Sequence, residues 1–256
     1  MCRLLAAHLS EGPGPLPGIL RAFRRACTRD ELHPRKGSHR DGWGWLVITS
    51  RTMRHYRTLD PVDVDDEGFT HLIRAVEGVA EGIVIAHCRR ATKGMKKWLL
   101  ASHPAPHPSI GSGYAEVWVA LNGSIPLERL GMHDSSGYLT DTHLTALTIA
   151  ERVVRDGIRD GVINGLRGVA SAAGPEHGAV VAAVAIGGDT AYAAFLNHYP
   201  RNDPVKERYY RAAVLEAGGT VIAASPTIAL YHGSGWGWLG EDEVVSLGEI
   251  GIEVSD

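Results

Sequence analysis

Alternating blocks of apolar and polar residues predict strands and helices over the first third of the chain. The short apolar run Leu4 to Ala7 is typical of a strand, and Leu16 to Cys27 carries apolar residues at helical spacing. Two runs rich in β-branched and aromatic residues follow, Gly42 to Ile48 and Met53 to Thr58, and we expect them to pair as strands. An amphipathic helix and a compact buried strand are expected next, over Glu67 to Ala80 and Gly82 to His87.

A long polar segment, Arg89 to Pro108, follows that strand and carries many side chains suited to chemistry. A further strand is expected over Ala115 to Leu121. Thr140-Asp141 then stands where a helix N-cap belongs, ahead of helices predicted over Thr142 to about Asp156 and Gly161 to Ala173. From Ala179 onward the pattern is strongly β, in the runs VVAAVAIG, TAYAAFL, RYYRAAVL, TVIAAS, IALYHG and EVVSL.

The order of these elements predicts the fold class. Strands gather at both ends of the chain with two helices between them, and many strands are continuous apolar runs that must be covered on both faces. The simplest packing is an α+β protein in which two sheets face each other with helices outside. Because no repeat or linker divides the sequence, we expect residues 1–256 to form a single domain.

Composition narrows the function classes. The chain has 256 residues, a formal net charge of −3 and a pI near 6.5, so neither nucleic acid nor an anionic membrane is an expected partner. The initial apolar stretch is too short for a signal sequence, and the longest later apolar run, Gly178 to Gly188, is well short of a membrane span. We therefore expect a cytoplasmic protein.

The three cysteines contain no CxxC pair, and their odd count suits a reducing compartment better than a disulfide framework. Cys27 falls on the apolar spacing of its helix and is expected to be a buried small hydrophobic residue. Cys88 lies beside Arg89 and Arg90 but has no base of its own.

Cys2 stands apart because a methionine followed by a small residue is the usual substrate of the aminopeptidase that trims initiators. Removal of Met1 would leave an α-amine on the cysteine itself. With reference pKa values of about 7.7 to 8.0 for such an amine and about 8.5 for a thiol, one residue can supply both base and nucleophile near neutral pH.

Five further segments, in order, give Cys2 a context. They are HRDGWGW (His39 to Trp45), VIAHCRRATKG (Val84 to Gly94), ASHPAP (Ala101 to Pro106), VALNGSI (Val119 to Ile125) and LTDTHL (Leu139 to Leu144). Together with Cys2 they resemble the class II, N-terminal-cysteine glutamine amidotransferases, most closely the stand-alone members. The resemblance covers residues 2 to about 150 and, more loosely, Ala223 to Ser225. It implies the four-layer α-β-β-α sandwich of the N-terminal nucleophile hydrolases.

The resemblance implies roles for five residues. Cys2 would attack the γ-amide of glutamine, while Asn122 and Gly123 would stabilise the oxyanion. Arg89 would bind the substrate α-carboxylate through its planar guanidinium, and Asp141 would bind the α-ammonium. Simpler interpretations exist: a surface ion pair for Arg89, a helix N-cap or first-turn residue for Asp141, and a type I′ turn for Asn122-Gly123.

Further residues are candidates to shape the pocket. His103 matches the histidine of the family's His-Pro segment, and His107 is an alternative match. Thr92 and Gly94 are expected to add backbone contacts, and Trp43 is a candidate wall of the pocket, although a core position is the better default. Metal binding by the two histidines is not expected, because the prolines at 104, 106 and 108 exclude a helix that would align them and no third ligand is clustered there.

Four departures from the family pattern surround the expected pocket: Arg90, Leu121, His143 and Pro226 stand where tryptophan, histidine, glutamate and glutamate are frequent. They bear on the substrate, which is either glutamine or a larger γ-glutamyl amide. A non-catalytic amino-acid-binding subunit is the alternative from another class. No cofactor is expected, and the sequence has no phosphate-binding glycine motif, so ammonia would pass to a synthase partner chain or be released. A homo-oligomer is compatible with this function.

Overall fold

The computed structural model describes residues 2–34, 37–91, 97–109, 115–131 and 139–253. No helix within these ranges is long and apolar enough to cross a membrane. The elements are, in chain order, β1 Arg3–Leu9, α1 Leu16–Thr28, β2 Trp43–Ile48, β3 Met53–Thr58, α2 Asp66–Glu77, β4 Gly82–Cys88, β5 Ala105–Ser109, β6 Ala115–Gly123, α3 Asp141–Asp156, α4 Ile158–Ala173, β7 Ala179–Gly187, β8 Thr190–His198, α5 Pro204–Tyr210, β9 Ala213–Ala217, β10 Thr220–Ala224, α6 Pro226–His232, β11 Gly237–Trp238 and β12 Glu243–Gly251.

Two antiparallel sheets organise the described chain. The first has seven strands in the order β11-β9-β10-β1-β4-β2-β3, and the second has five in the order β12-β8-β7-β6-β5. Strand β1 lies inside the first sheet, with Leu5 opposite Ala224 on one side and Ala86 on the other. The first residue ahead of this internal strand is Cys2.

Alternation along β1 explains how the layers are held together. Leu4 and Ala6 pack into the core between the two sheets, whereas Leu5 and Ala7 pack into the core under α1, α2 and α6. A third apolar core joins the five-stranded sheet to α3 and α4. The result is a helix-sheet-sheet-helix sandwich, which confirms the predicted fold class.

One predicted strand is wrong, and a second is wrong in its first residues. IALYHG lies in helix α6, and the first residues of RYYRAAVL complete helix α5, so that β9 begins only at Ala213. Each helix has a proline in its first turn, where the missing N–H costs nothing. At α5 the Asp203 side chain also accepts hydrogen bonds from the N–H groups of Val205 and Lys206.

Part of the predicted polar loop is also a strand. β5 lies at the edge of the five-stranded sheet and pairs with β6, with Pro106 opposite Trp118. An edge strand tolerates proline because one row of its N–H groups has no neighbouring strand to bond. The prolines, which made this segment resemble a loop in the sequence, are therefore compatible with an edge strand.

The expectation of three separate thiols is wrong, since Cys27 and Cys88 form a disulfide with a Cα–Cα distance of 6.1 Å. The bond joins α1 to the end of β4, and Cys2 is the free cysteine. The odd cysteine count consequently gives no argument for a reducing compartment. A cytoplasmic location stays a prediction.

Candidate active site

A cavity of about 310 Å³ lies at the start of β1 and gathers residues from five of the six segments singled out in the sequence. Cys2, Arg89, His103, Gly123 and Asp141 all line it. They come from the start of β1, the end of β4, the segment before β5, the end of β6 and the start of α3. The fold thus brings together residues that are up to about 140 positions apart in the chain.

Cys2 is held at both its nitrogen and its sulfur. Its main-chain N–H donates to Asn122 Oδ1 at 2.9 Å, and the Arg90 N–H donates to its Sγ at 3.4 Å. Only 6% of the residue is exposed. The sulfur therefore has a defined position and can be reached only through the cavity.

Asn122 is fully buried at the end of β6, and the oxygen of its side-chain amide is hydrogen-bonded. Because its Oδ1 accepts from Cys2, its Nδ2 is the remaining donor, and it has no hydrogen-bond partner among the described residues. Such an unsatisfied buried donor costs about 1–3 kcal/mol. Asn122 and Gly123 pair with Val180 and Ala179 in the sheet, so this dipeptide is not the two-residue turn of a hairpin.

Arg89 is buried and carries a second unpaired donor. Its Nη1 has no hydrogen-bond partner within the described ranges, and none of the ion pairs found there includes this residue. The main chain of Arg89 is fixed by the Asp-Gly motif, since its N–H donates to Gly42 O at 2.8 Å and its carbonyl accepts from Asp41 N at 3.0 Å. The guanidinium is therefore presented by a fixed main chain, and within the described residues it forms no direct ion pair.

Asp141 supplies a negative charge to the cavity that Arg89 also lines. It is the first residue of α3, and its two carboxylate oxygens accept from the N–H groups of Thr142 at 3.0 Å and Ile125 at 3.1 Å. Burial raises the pKa of this carboxyl above its usual value, against those hydrogen bonds. The first-turn position is thus observed, and it leaves the carboxylate on the cavity surface.

The glycines of the Asp-Gly-Trp-Gly motif make room for His103. A Cβ on Gly44 would lie 2.6 Å from His103 O, and one on Gly42 would lie 2.8 Å from Ser102 Oγ. The His103 ring bonds to Thr142 Oγ1 at 2.8 Å and to His87 Nε2 at 3.1 Å. Burial lowers the pKa of His103 well below its usual value, so the ring is neutral at pH 7.

The other predicted pocket residues lie elsewhere. Trp43 is fully buried in the core beneath the outer helices, where its Nε1 donates to Asp65 Oδ2 at 2.9 Å. It is therefore a core residue and does not line the Cys2 cavity. His107 sits on β5 opposite Val117, away from the cavity that His103 lines. Thr92 and Gly94 lie outside the described residues.

A buried ionic network behind Cys2 was missed by the sequence analysis. Arg3 is fully buried, its Nη1 donates to Cys2 O at 3.2 Å, and its Nη2 lies 2.6 Å from Asp30 Oδ2. Asp30 also pairs with His39 Nε2 at 2.8 Å. The sequence gives one indication of this network, the charged Arg3 directly before the apolar run Leu4 to Ala7. The residues around Asp30 do not indicate that it is buried.

The charges of this network follow from its environment. Burial by itself raises the pKa of Asp30, but the hydrogen bond with His39 and the charge of Arg3 outweigh burial and hold that pKa well below its usual value. Burial lowers the pKa of His39 to about 4, against its hydrogen bond with Asp30. At pH 7 the network is therefore an Arg3⁺–Asp30⁻ pair with a neutral His39.

A larger groove, about 790 Å³, lies between α5, α6 and β11. It is lined by Leu230, Trp236, Trp238, Arg208 and Arg211. None of the residues to which the resemblance gives a catalytic or substrate-binding role lines it. Pro226, which was expected near the Cys2 pocket, lines this groove instead. Volume alone would favour this groove, whereas nucleophile, unpaired donors and opposed charges favour the Cys2 cavity.

One further cluster has the composition of a metal site. His198, Glu241 and Asp242 place one ligand atom each within 4.8 Å of one another. However, Arg201 pairs with both carboxylates, and the two His198 ring nitrogens bond to Asp242 Oδ1 at 2.6 Å and Gly174 O at 2.9 Å. Arg201 therefore offsets one of the two negative charges, and both ring nitrogens of His198 already have protein partners.

These features define a fold in which two stacked antiparallel sheets lie between layers of helices. Among solved structures, the chain is similar to the allosteric regulatory enzyme of purine biosynthesis (17% identity, TM-score 0.57) and to glutamine phosphoribosylpyrophosphate amidotransferase from B. subtilis in complex with ADP and GMP (15% identity, TM-score 0.58). Each alignment covers 98% of this chain and 48% of the other, so the chain spans about half the length of these enzymes. No protein-family model matches the sequence, and no curated protein does.

Proposed function

We propose that the protein is a glutamine amidotransferase of the class II type, in which Cys2 hydrolyses the γ-amide of glutamine to glutamate and ammonia. The observation that carries this proposal is the free Cys2 thiol in a cavity that Arg89 and Asp141 also line. Two buried donors without a partner in the described residues support it: Arg89 Nη1, and Nδ2 of Asn122, whose Oδ1 bonds the Cys2 nitrogen. Native proteins rarely leave such donors unsatisfied, and a ligand with oxygens at both positions would satisfy them.

Recognition of the substrate follows from opposed charges. Arg89 would form a two-pronged pair with the α-carboxylate, and Asp141 would accept the α-ammonium. A cation beside Asp141 offsets the burial that raises the pKa of its carboxyl. This arrangement selects the head of a free α-amino acid or a γ-glutamyl group.

The chemical step needs no group beyond this chain. After loss of Met1, the thiol proton of Cys2 passes to its own α-amine and the thiolate forms a bond to the γ-carbonyl carbon. Asn122 Nδ2 and the Gly123 N–H stabilise the oxyanion. The C–N bond then breaks, the leaving ammonia takes the proton from the Cys2 ammonium, and water hydrolyses the thioester with the amine as base.

The fate of the ammonia is part of the proposal. The chain covers 48% of each of the two enzymes with the same fold, and we propose that the ammonia passes to a synthase partner or is released. The cavity of about 310 Å³ is at the small end of ligand pockets, which favours glutamine over bulkier γ-glutamyl amides.

The test is the intact mass of the purified protein before and after incubation with a diazo-ketone analogue of glutamine. We expect a starting mass without Met1 and a single adduct on Cys2, slowed by added glutamine. Cys2→Ala is the matched control and should gain no adduct. A chain that keeps Met1, or a processed chain that takes up no adduct but binds glutamine by calorimetry, would identify a binding subunit instead.

A further inference from the structure

Cys2 lies one residue ahead of the ordered sheet. The pairing of β1 with β4 begins at Arg3, opposite Cys88, so the sheet hydrogen bonds do not include the Cys2 carbonyl. Two side chains bond it instead: Arg3 Nη1 at 3.2 Å and the Tyr209 hydroxyl at 3.3 Å. The nucleophile's main chain is thus positioned by side chains rather than by a neighbouring strand.

Arg3 is in turn held rigidly. Its guanidinium carbon lies 4.0 Å above the centre of the Tyr209 ring, and its Nη2 contacts Asp30 at 2.6 Å. Asp30 is fixed by Thr227 Oγ1 at 2.6 Å, by His39 Nε2 at 2.8 Å and by the Leu32 N–H at 3.2 Å. We call Arg3, Asp30, His39, Tyr209 and Thr227 the carbonyl clamp.

A purely structural role explains this arrangement poorly. Arg3 and Asp30 are both fully buried, and removing two charges from water costs more than such a pair commonly returns. Apolar residues of similar volume are often equally stable in such positions. The feature that apolar residues could not reproduce is the donation to the Cys2 carbonyl.

We propose that Arg3, fixed by Asp30, is a positioning residue that orients Cys2 for attack on the substrate amide. This inference rests on the proposed function and adds to it a residue that orients the nucleophile. With its nitrogen bonded to Asn122 and its carbonyl bonded to Arg3 and Tyr209, Cys2 has little freedom to rotate about its Cα. A misplacement of about 1 Å in such a group costs roughly 100-fold in rate.

The decisive variant is the double substitution Arg3→Met with Asp30→Asn. Arg3→Met alone leaves a buried unpaired carboxylate and can fail to fold, whereas the double variant is neutral and keeps an acceptor for Thr227 and Leu32. We expect it to unfold at nearly the wild-type temperature, with kcat for glutamine hydrolysis lower by roughly 100-fold and KM changed by less than about 3-fold. Arg3→Lys, which keeps the charge and one donor, should recover part of the rate.

Arg24→Met is the matched control, because it makes the same substitution in a partly exposed ion pair, Arg24–Asp66, that joins α1 to α2. It should leave kcat unchanged. A double variant with wild-type kcat overturns the positioning role. So does a loss of kcat accompanied by an equal rise in KM and a lower unfolding temperature, which would show a general structural defect.

Failure of the proposed function gives a different result. Iodoacetamide alkylates the Cys2 thiolate without needing a glutamine pocket. Once its rate is corrected for the thiolate fraction, which is read from the pH dependence of that rate, it reports the geometry and access of the sulfur. If wild type ignores the diazo-ketone analogue yet its Cys2 reacts with iodoacetamide at a corrected rate different from that of the double variant, glutaminase activity is rejected and positioning stands. Equal corrected iodoacetamide rates in both proteins overturn the positioning role.

Discussion

The Cys2 cavity and the larger groove differ in the size of the opening and in the polar groups nearby. The groove between α5, α6 and β11 is more than twice as large as the Cys2 cavity, and its apolar walls include the half-exposed Leu230 and Trp238. The Cys2 cavity is small, but Arg89, which lines it, and Asn122, which bonds Cys2, each have a buried donor without a partner in the described chain: Arg89 Nη1 and Asn122 Nδ2.

The difference shows which property indicates chemistry. Exposed apolar side chains are common on protein surfaces and need no ligand. A buried unpaired donor, in contrast, lowers stability by about 1–3 kcal/mol and therefore needs an explanation. Others occur elsewhere in the described residues, and what distinguishes Arg89 and Asn122 is their place beside the free thiol of Cys2. The comparison can be tested by changing matched residues in and outside the Cys2 cavity.

The largest effect is expected from Asn122→Ala. Loss of one oxyanion donor should lower kcat by about 10²–10³-fold, or about 2.7–4 kcal/mol of barrier, in a steady-state glutaminase assay. The matched control is Asn197→Ala, because Asn197 is equally buried but its side chain is fully used by Ala212 N and Gly240 O. That control should lower the unfolding temperature and leave kcat nearly unchanged; the reverse pattern would reject the assignment of Asn122.

A smaller effect is expected from Arg89→Lys. Lysine keeps the charge but not the planar fork, so KM for glutamine should rise by roughly 10–100-fold, equivalent to about 1.5–3 kcal/mol, with a smaller change in kcat. Arg208→Lys makes the same substitution in the large groove. It should change neither constant, and an equal response in both variants would remove the distinction between the two cavities.

The third prediction concerns the pH dependence of stability. Burial holds the pKa of His39 at about 4, below the unfolded value of about 6.5, so the folded state resists its protonation. Its stabilising contribution is complete above pH 6.5 and is lost as the pH falls from 6.5 toward 4, by about 2 kcal/mol at pH 5. Urea unfolding at pH 8 and pH 5 should show this loss.

His39→Asn should reduce that loss, whereas substitution of the exposed His71 should not. His87, whose pKa burial lowers to about 3, adds to the same acid sensitivity on the pocket side of the molecule. A wild-type protein equally stable at both pH values would contradict the buried, neutral state of these histidines.

Sequence patterns predicted the sandwich because most strands, such as β4 and β7, are continuous apolar runs of strand length. They failed where an apolar run was too short to distinguish strand from helix. In IALYHG, the local signal was Pro226 at the helix start, which the β-branched and aromatic content obscured. The prolines of β5 misled in the opposite direction, since only the finished sheet shows that this strand is at an edge.

The candidate site was predictable as far as its motifs extended. Arg89, Asn122 and Asp141 each lie in a segment that the class II resemblance singled out, and they contact one cavity or the cysteine within it. The Arg3–Asp30 pair was not predictable, because it depends on a contact between β1 and the segment after α1. The Cys27–Cys88 bond has the same origin: its two halves are 61 residues apart and meet only where α1 packs beside β4.

The internal position of β1 sets an order of events during protein synthesis. Strand β1, which follows Cys2, is completed only when β10 pairs beside it. The Cys2 carbonyl then also receives the hydrogen bond from the Tyr209 hydroxyl. At about 5–20 residues per second, the ribosome needs roughly 10–45 s to produce the intervening chain of about 220 residues. The main chain of Cys2 therefore reaches its final position only after most of the described chain has been made.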